Sequence, residues 1–548
     1  MRFFKSIRFF SISLPFPNLL FFLIDNHLSH GIMMGKNLCP RCIFMFLNVK
    51  DDEILRKSEK EIEENLMSRW PSIFSKEQIL DSSECSEIKH FCHSCLGMLQ
   101  DQFLHSSVEN IAQKIQSEQY MFRNFRLMIS QPVQFILFRA FVQHHYKSVI
   151  SDHKRNGNGL DVKDIFKIVL EPKLEKALCS KAVYNDDAEL EVTVVIKHSI
   201  TESHLLPKIE KCLPECFKQS KKVLEGMTRK RPRNDLTIFT LSAVCQASSK
   251  LSPKVLDDLI EQSYFQNSVF LDQIKILRTP IYVAGRYCKY SRELSQTPWV
   301  ISGKRISEMS VQEYIADPIK LLFKADSYNF SSSGREDIDV RMLGNGRPFL
   351  LELVNPRLCI EEKNRVKKLQ TEINEVTDII KVRDLQIVSK NETKNLKDGE
   401  EGKTKSYSAV CYTKISHSRP KVNKLTLKSN ILKLSELKNI KIEQKTPLRV
   451  LHRRNLAVRS RTIFELDVEM IDVTDAAKIV KMPKFIPKEY IFFKLCMTTQ
   501  AGTYVKEFVH GDFGRTIPHV GILIGADTDI LSLDVVSVNL EWPLSLPN

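Results

Sequence analysis

Two spacings of apolar residues run along the chain and predict its secondary structure. A period of two, or a short apolar run bounded by turn residues, predicts strands at residues 190–196, 236–240 and 349–354. Apolar residues three and four positions apart predict helices at residues 251–260 and 361–380. Helices and strands that alternate in this way indicate an α/β or α+β architecture.

A dense group of charges precedes an apolar strand in the second half of the chain. Three carboxylates and two guanidiniums fall between Arg335 and Arg341. Ile338, Val340 and Met342 alternate with polar residues, which predicts a turn that enters a strand. Such a turn can hold one carboxylate in a cleft with Arg335 beside it. A surface turn made of ion pairs explains the same residues, because ion pairs are common on protein surfaces.

Length and charge restrict the class of protein. The chain has 548 residues, which predicts two or three domains, and a formal net charge of +15. Basic residues are dense at residues 218–233 and 441–461 but do not form one amphipathic helix. A polyanionic partner is therefore expected, and a membrane partner is not. A basic surface that binds nothing is the alternative.

The first 32 residues differ from the rest. They are apolar and basic, and the first acidic residue is Asp25. Pro15 and Pro17 interrupt the apolar run, so a membrane span is not expected. A leader for an organelle or for secretion and a mispredicted upstream extension, with the start at Met33, both fit. An odd count of thirteen cysteines fits a reducing compartment, so we expect the nucleus or the cytoplasm, with organelle targeting by residues 1–32 as the alternative.

Four cysteines have the spacing of a structural metal site. They form two C-x-x-C pairs, Cys39 with Cys42 and Cys92 with Cys95. Each pair presents two thiolates from one turn, and two pairs complete a tetrahedral zinc site. Helical residues 51–80 are expected to loop out between the pairs. Redox motifs or ordinary buried thiols are the alternatives, and Cys85 and His93 are rival ligands.

Several short motifs share one order along the chain. They lie at residues 285–287, 296–299, 330–337, 343–349, 405–410, 446–454, 501–508 and 510–516. Together they closely resemble the tRNA pseudouridine synthase family Pus-ten of archaea and eukaryotes. The resemblance is strong over residues 281–544. Upstream it depends on the C-x-x-C pairs and on a weaker, THUMP-like region between them and residue 281.

The resemblance implies a fold and a domain order. The fold is an α+β pseudouridine synthase fold, with a mixed, mainly antiparallel sheet and flanking helices, at residues 281–548. A THUMP-like α/β accessory domain that binds RNA is expected at residues 101–280. The zinc-binding module takes residues 33–100, and the leader or extension takes residues 1–32.

The resemblance also implies roles for site residues. Asp337 is the catalytic aspartate, and Asp339 is its rival because it shares the same face of a regular strand. Tyr407 is expected to stack on the displaced uracil, and Lys506 to pair with the catalytic carboxylate from a Gly-Thr-Tyr strand. A core tyrosine and an exposed lysine are the alternatives. The expected substrate-binding residues are Arg335, Tyr407, Tyr504 and Lys506.

The expected partner is the T-arm of tRNA at uridines 54 and 55, with other structured RNAs as further substrates. The target base must leave its stack to reach an enzyme carboxylate. Arg286, Arg453 and Arg454 are expected to bind RNA. The isomerisation needs no organic cofactor, so zinc is expected to be structural, and the protein is expected to be a monomer.

Two other functions are alternatives to this one. A non-catalytic, zinc-containing RNA-binding protein would use the same basic surfaces. An RNA methyltransferase with a THUMP-like domain would need a glycine-rich cofactor loop after a strand. Residues 344–346 are too short for such a loop and follow the wrong pattern.

Overall fold

The computed structural model describes residues 37–71, 91–146, 160–185, 187–228, 237–359, 363–398, 403–414, 424–479 and 490–546. The expectations for residues 1–32 and for Cys85 lie outside these ranges. Within them, no helix is long and apolar enough to cross a membrane. The chain divides into two compact units, the first ending at Leu277 and the second beginning at Arg278.

The first unit surrounds a four-stranded sheet with helices. The strands are β1 (Asn124–Ser130), β2 (Lys181–Ala182), β3 (Leu190–Lys197) and β4 (Phe270–Arg278). Their order in the sheet is β2-β1-β3-β4, and β1 pairs in parallel with both β2 and β3. The helices are α1 (Pro40–Phe46), α2 (Asp52–Leu55), α3 (Glu59–Arg69), α4 (Asp101–Ser117), α5 (Phe135–His145), α6 (Val162–Leu178), α7 (Leu206–Cys212), α8 (Lys218–Thr228), α9 (Leu241–Lys250) and α10 (Pro253–Leu259).

Local sequence explains several of these boundaries. The predicted strand at residues 190–196 is confirmed as β3, whose alternate side chains are buried. The predicted helix at residues 251–260 is confirmed as α10, with Ser252 as its N-cap. The strand predicted at residues 236–240 is wrong over residues 237–240. Thr240 instead accepts a hydrogen bond from the Ala243 amide and begins α9.

The cysteine segments and the accessory region share one hydrophobic core. Arg41, inside the first C-x-x-C pair, is fully buried. Its guanidinium donates to the carbonyls of Leu55 (3.0 Å) and Leu99 (2.8 Å) and to the carboxylate of Asp101 (2.8 Å). One side chain therefore fixes α2, the turn after the second cysteine pair and the start of α4.

The second unit contains a ten-stranded mixed sheet. The strands are β5 (Ile281–Lys289), β8 (Ser327–Ser332), β9 (Arg341–Val354), β10 (Ile380–Val388), β11 (Thr404–Lys414), β12 (Lys438–Lys445), β13 (Val458–Ile471), β14 (Tyr490–Gln500), β15 (Thr516–Ile517) and β16 (Thr528–Val538), and a separate hairpin consists of β6 (Val300–Ile301) and β7 (Lys304–Arg305). The order in the sheet is β10-β5-β9-β16-β11-β14-β13-β12-β15, and β8 pairs with β9. The pairing of β9 with β16 is parallel, and the other pairings in this sheet are antiparallel.

Helices flank this sheet. They are α11 (Val311–Phe323), α12 (Lys363–Val376), α13 (Lys394–Asp398), α14 (Lys424–Leu432), α15 (Val473–Ile479), α16 (Val505–His510) and α17 (Val520–Ile524). The predicted helix at residues 361–380 is confirmed over Lys363–Val376 as α12, whose Val366, Leu369 and Ile373 are buried. The helix ends before Ile380, which begins β10. Because both units combine helices with sheets, the predicted α+β class is confirmed.

Two predictions about the strands near the carboxylates are wrong. Residues 333–340 form a loop between β8 and β9, so Asp337 and Asp339 do not lie on one face of a strand. Residues 501–504 form a turn after β14, and Lys506 lies in the first turn of α16 rather than in a strand. Gly502, at φ +79°, allows this turn because its backbone is in the left-handed region.

Candidate active site and cysteine cluster

A cleft of about 1050 Å³ opens over the loop that joins β8 to β9. The residues around it come from this loop, from β11, from residues 449–461 and from the start of α16. The predicted site residues that line it are Arg335, Asp337, Tyr407, Arg453, Arg454, Tyr504 and Lys506. The fold therefore brings together residues that are far apart in the sequence.

Two cations approach the Asp337 carboxylate. Arg449 Nη1 donates to Asp337 Oδ2 at 2.8 Å, and Lys506 Nζ lies 3.4 Å from the same oxygen. Lys506 Nζ also donates to both oxygens of Asp339, at 2.8 Å each. Burial is the largest single influence and opposes the ionisation of Asp339, but the hydrogen bond from Lys506 and the positive charges of Lys506 and Lys289 together lower the pKa of Asp339. Both carboxylates are thus held close to positive charge.

Glu507 holds Arg449 from behind. Its side chain is 2% exposed, and its Oε1 accepts a hydrogen bond from Arg449 Nε at 2.6 Å. The buried Oε2 has no hydrogen-bond partner among the described residues. Although burial alone lowers the pKa of Arg449, the bond to Glu507 and the charge of Asp337 raise it. The guanidinium therefore bridges a buried carboxylate and the carboxylate in the cleft.

A buried polar network supports the loop from below. Arg347 Nε donates to Glu336 Oε2 at 2.7 Å, and Arg347 Nη1 donates to the Ser333 carbonyl at 2.7 Å. The Tyr287 hydroxyl donates to Glu336 Oε1 at 2.9 Å and accepts from Gln296 Nε2 at 2.7 Å. Burial and the charge of Glu336 raise the pKa of Tyr287, which keeps this hydroxyl a donor. The network fixes the residue immediately before Asp337.

Lys289 holds the backbone of the same loop. Its side chain is fully buried. Its Nζ donates to the carbonyls of Leu294 (2.8 Å), Ile338 (2.9 Å) and Asp337 (3.3 Å). Burial lowers the pKa of Lys289 to about 8.

The remaining cleft residues differ in exposure. Tyr407 lies in β11 opposite Met497 of β14, and burial raises its pKa. Tyr504 is the N-cap residue of α16, and its backbone amide donates to Gln444 Oε1 at 2.9 Å. Arg335 is exposed at the rim of the cleft. The cleft thus offers aromatic rings on its wall and a guanidinium at its mouth.

The basic residues predicted to bind RNA fall into two groups. Arg453 and Arg454 are exposed and line the cleft. Arg286 is only 6% exposed, and its guanidinium donates to the main-chain carbonyls of Leu540 (2.8 Å) and Trp542 (3.0 Å). The prediction that Arg286 contacts RNA does not fit this position, because its donors are used to hold the end of the chain.

Sequence reasoning did not give roles to Arg449, Glu507, Lys289 and Arg347. Arg449 lies in the motif at residues 446–454, Arg347 lies in the motif at residues 343–349, and Glu507 follows Lys506 directly. A buried role for Glu507 had a weak signal, because two apolar residues follow it in a short helix. Nothing in the local pattern indicated that Lys289 would be buried.

The four cysteines of the C-x-x-C pairs form one cluster. Their sulfur atoms lie within 4.8 Å of one another, and all four residues are buried. Burial raises the pKa of Cys39 and Cys42, whereas hydrogen bonds from the other three thiols outweigh burial and lower the pKa of Cys92. His93 stacks on Phe265 at a centroid distance of 3.7 Å and is not part of the cluster. Four convergent thiols can hold one metal ion in tetrahedral geometry.

Comparisons with known proteins agree over most of the chain. Family models match residues 92–264 (eukaryotic Pus10, N-terminal) and residues 282–539 (Pus10, C-terminal). Proteins named tRNA pseudouridine synthase Pus10 are similar in Homo sapiens (35% identity, 94% of this chain and 97% of that protein) and in Xenopus laevis (36%, 94% and 97%). One from Pyrococcus furiosus is 34% identical over 49% of this chain and 60% of its own.

A solved structure of a Cbf5–Nop10–Gar1 complex aligns with 46% of this chain and 48% of its own chain, at 14% identity and a TM-score of 0.22. The cleft and the sequence matches define the class of this protein as a pseudouridine synthase, which is an isomerase. Within that class, the chain belongs to the Pus10 family.

Proposed function

We propose that the protein converts uridine to pseudouridine in the T-arm of tRNA, at uridines 54 and 55, with Asp337 as the catalytic residue. The observation that carries this proposal is the position of the Asp337 carboxylate. It lies in an open cleft between Arg449 and Lys506, with exposed arginines at the rim. The names of the relatives supply the substrate class.

The reaction is an isomerisation, so every carbon, nitrogen and oxygen atom of the product comes from the uridine. The N1–C1′ bond breaks, the base rotates, and a C5–C1′ bond forms. The proton on C5 leaves, and N1 gains a proton. An ionised carboxylate suits the first step because it can attack as a nucleophile or stabilise a cationic sugar. Arg449 and Lys506 hold the Asp337 carboxylate in position within the cleft.

The cleft also suits a base that has left its stack. Tyr407 on the wall offers a ring for the freed uracil, and Tyr504 lies nearby on the same cleft. Arg335 at the rim can hold the emptied stack or a neighbouring phosphate. Lys506 bridges Asp337 and Asp339 and keeps both carboxylates in place.

We assign Zn²⁺ to the cysteine cluster. Four buried thiols from two tight turns match a closed structural zinc site, with no position left for a substrate. Cys39, Cys42, Cys92 and Cys95 would hold the ion, and its role would be to join two distant segments of the first unit. No step of the reaction requires it.

The finer organisation belongs to the same proposal. We assign the pseudouridine synthase fold to residues 281–548, a THUMP-like RNA-binding domain to residues 101–280 and the zinc module to residues 33–100. Arg453 and Arg454 contact RNA, and structured RNAs other than tRNA are further substrates. The protein acts as a monomer in the nucleus or the cytoplasm, and residues 1–32 are a leader or an extension.

Primer extension tests the function. An unmodified tRNA transcript is incubated with the protein, treated with a carbodiimide that forms adducts with pseudouridine, and reverse-transcribed. We expect a new stop in the T-loop that is absent with Asp337→Asn, although this variant still binds the RNA. Tight binding without a stop on any tRNA would favour a non-catalytic RNA-binding protein instead.

A further inference from the structure

Phe513 occupies an unusual position after α16. Its side chain is 95% exposed, and its backbone is in the left-handed region at φ 55° and ψ 39°. It belongs to a tight turn in which the Gly514 amide donates to the Gly511 carbonyl at 3.0 Å and the Thr516 amide donates to the same carbonyl at 3.1 Å. The turn therefore presents a whole phenylalanine ring to solvent.

This placement is unfavourable for folding in two ways. A bulky residue other than glycine rarely adopts a positive φ, because its Cβ is crowded by the backbone. An exposed ring also gives no packing energy in return. Strained positions of this kind concentrate at functional sites. The position of the ring therefore indicates a role in binding and not a role in the stability of the fold.

The turn is attached to the segment that carries the cleft arginines. Asp512 Oδ2 accepts a hydrogen bond from the Leu448 amide at 3.2 Å. The Arg515 side chain donates to the Thr446 carbonyl at 3.1 Å and 2.7 Å. Because Arg449 lies in this same segment and reaches Asp337, the Phe513 turn has a fixed position relative to the cleft.

The length of α16 separates the Phe513 ring from the place of the target uridine. Lys506 lies at the start of this helix beside Asp337, and Phe513 lies just beyond its end. A helix of six residues is about 9 Å long. A base stacked on Phe513 is therefore a different nucleotide from the uridine at Asp337.

The segment to which the turn is attached carries cations, which suit RNA. Arg453 and Arg454 are exposed on the attached segment, and Lys445 is exposed where its amide donates to the Arg515 carbonyl at 2.9 Å. The Asp512 carboxylate lies 3.6 Å from the Arg515 guanidinium, so its charge is compensated. An aromatic ring among cations is the usual platform for an unpaired base.

We propose that Phe513 stacks on an unpaired nucleobase of the substrate RNA, outside the uridine that is isomerised. This inference rests on the proposed function for the identity of the RNA. It assigns the turn of residues 511–516 to substrate recognition and leaves the chemistry at Asp337 unchanged.

Three substitutions separate this role from a structural one. Phe513→Asn removes the ring and suits a left-handed backbone. Phe513→Tyr and Phe513→Trp keep an aromatic face. Leu321→Asn is the matched control, since Leu321 is 79% exposed on α11, away from the cleft. Affinity is measured with T-arm transcripts, and thermal unfolding is measured on the same proteins.

We expect Phe513→Asn to weaken RNA binding by about 5- to 150-fold while its Tm stays equal or rises. The aromatic variants and Leu321→Asn should bind within about 3-fold of the wild type. A transcript with 2-aminopurine at one unpaired position outside the target uridine should change its emission with the wild type and not with Phe513→Asn.

Unchanged RNA affinity in Phe513→Asn would overturn the proposal. The ring would then be expected to bind a protein partner or a membrane. A fall in Tm that accounts for the lost binding would also overturn it. Pseudouridine formation by the wild type is scored separately. A wild type that binds RNA through Phe513 without making pseudouridine would refute the proposed function and support this inference.

Discussion

The buried carboxylate of Glu507 should affect the rate of isomerisation although it does not touch the substrate. Its Oε1 accepts from Arg449 Nε at 2.6 Å, and Arg449 Nη1 donates to Asp337 Oδ2 at 2.8 Å. Glu507→Gln keeps the shape of the side chain and an acceptor oxygen but removes the charge. Arg449 then loses the partner that fixes its orientation toward Asp337, so we expect a lower kcat with little change in KM.

The size of the effect follows from the geometry. A hydrogen bond to a charged group contributes about 1.5–3 kcal/mol, and loss of the charge removes roughly half of that. About 0.75–1.5 kcal/mol corresponds to a decrease of about 4- to 12-fold in kcat. Glu507→Leu removes the acceptor as well, and we expect about 10- to 150-fold.

Single-turnover kinetics on a tRNA transcript measures these rates, and a double-mutant cycle identifies their cause. In an Arg449→Lys background, the guanidinium that bridges the Glu507 and Asp337 carboxylates is absent. Glu507→Gln should therefore change the rate by less than about 2-fold in that background. Glu469→Gln is the matched control, because Glu469 is 67% exposed and lies 3.5 Å from Lys494 at the surface. Equal losses from Glu507→Gln in both backgrounds would refute the reasoning.

Three further predictions concern stability, metal and RNA. The pKa of Lys289 in the folded protein, about 8, lies below its ordinary 10.5. Between pH 8 and pH 10.5 the unfolded chain therefore binds one more proton at this lysine than the folded protein does. The free energy of unfolding of the wild type, measured relative to Lys289→Met in urea titrations, should rise by about 1.4 kcal/mol per pH unit over this range. A difference between the two proteins that does not change with pH would contradict this prediction. Cys39→Ser with Cys92→Ser should abolish bound zinc and lower the Tm, and elemental analysis without zinc in the wild type would refute the site. Arg453→Ala with Arg454→Ala should weaken binding to all RNAs and reduce the salt slope by roughly one per lost phosphate contact, whereas an unchanged slope would exclude these residues from the interface.

The sequence predicted what depends on local pattern. Alternating apolar residues identified β3, and apolar residues at helical spacing identified α10 and α12. The two C-x-x-C pairs identified the four cysteines that the fold brings together. Each of these patterns lies within one turn, one strand or one helix, so a short window of sequence reveals it.

Contacts between distant residues could not be predicted in this way. Arg449 lies 112 positions from Asp337 and 58 from Glu507, and only the folded sheet brings the three together. Arg286 is a second example, because its basic side chain suggested a contact with RNA. Its carbonyl partner in Leu540 lies 254 positions away, and β5 directs the guanidinium into the protein. Burial of a charged residue depends on partners that a local pattern does not reveal.

Local reasoning also failed where a turn replaced a strand. The alternating residues at 338, 340 and 342 belong to a loop and the start of β9, so Asp337 and Asp339 meet through Lys506 rather than through the pleat of a strand. The loop keeps its shape because Lys289 and Arg347 hold its carbonyls from below. These long-range hydrogen bonds outweigh the local preference for a strand.

Asp337, and not Asp339, is the carboxylate on which we expect the isomerisation to depend. Because the proton on C5 leaves during the reaction, tritium released from a tRNA transcript that contains [5-³H]uridine reports each turnover. Under single-turnover conditions, we expect Asp337→Asn to lose on the order of 10⁴-fold or more in rate while it still binds the transcript. Asp339→Asn should keep measurable release. Release by Asp337→Asn at a rate near that of the wild type, or loss of release only in Asp339→Asn, would contradict the account.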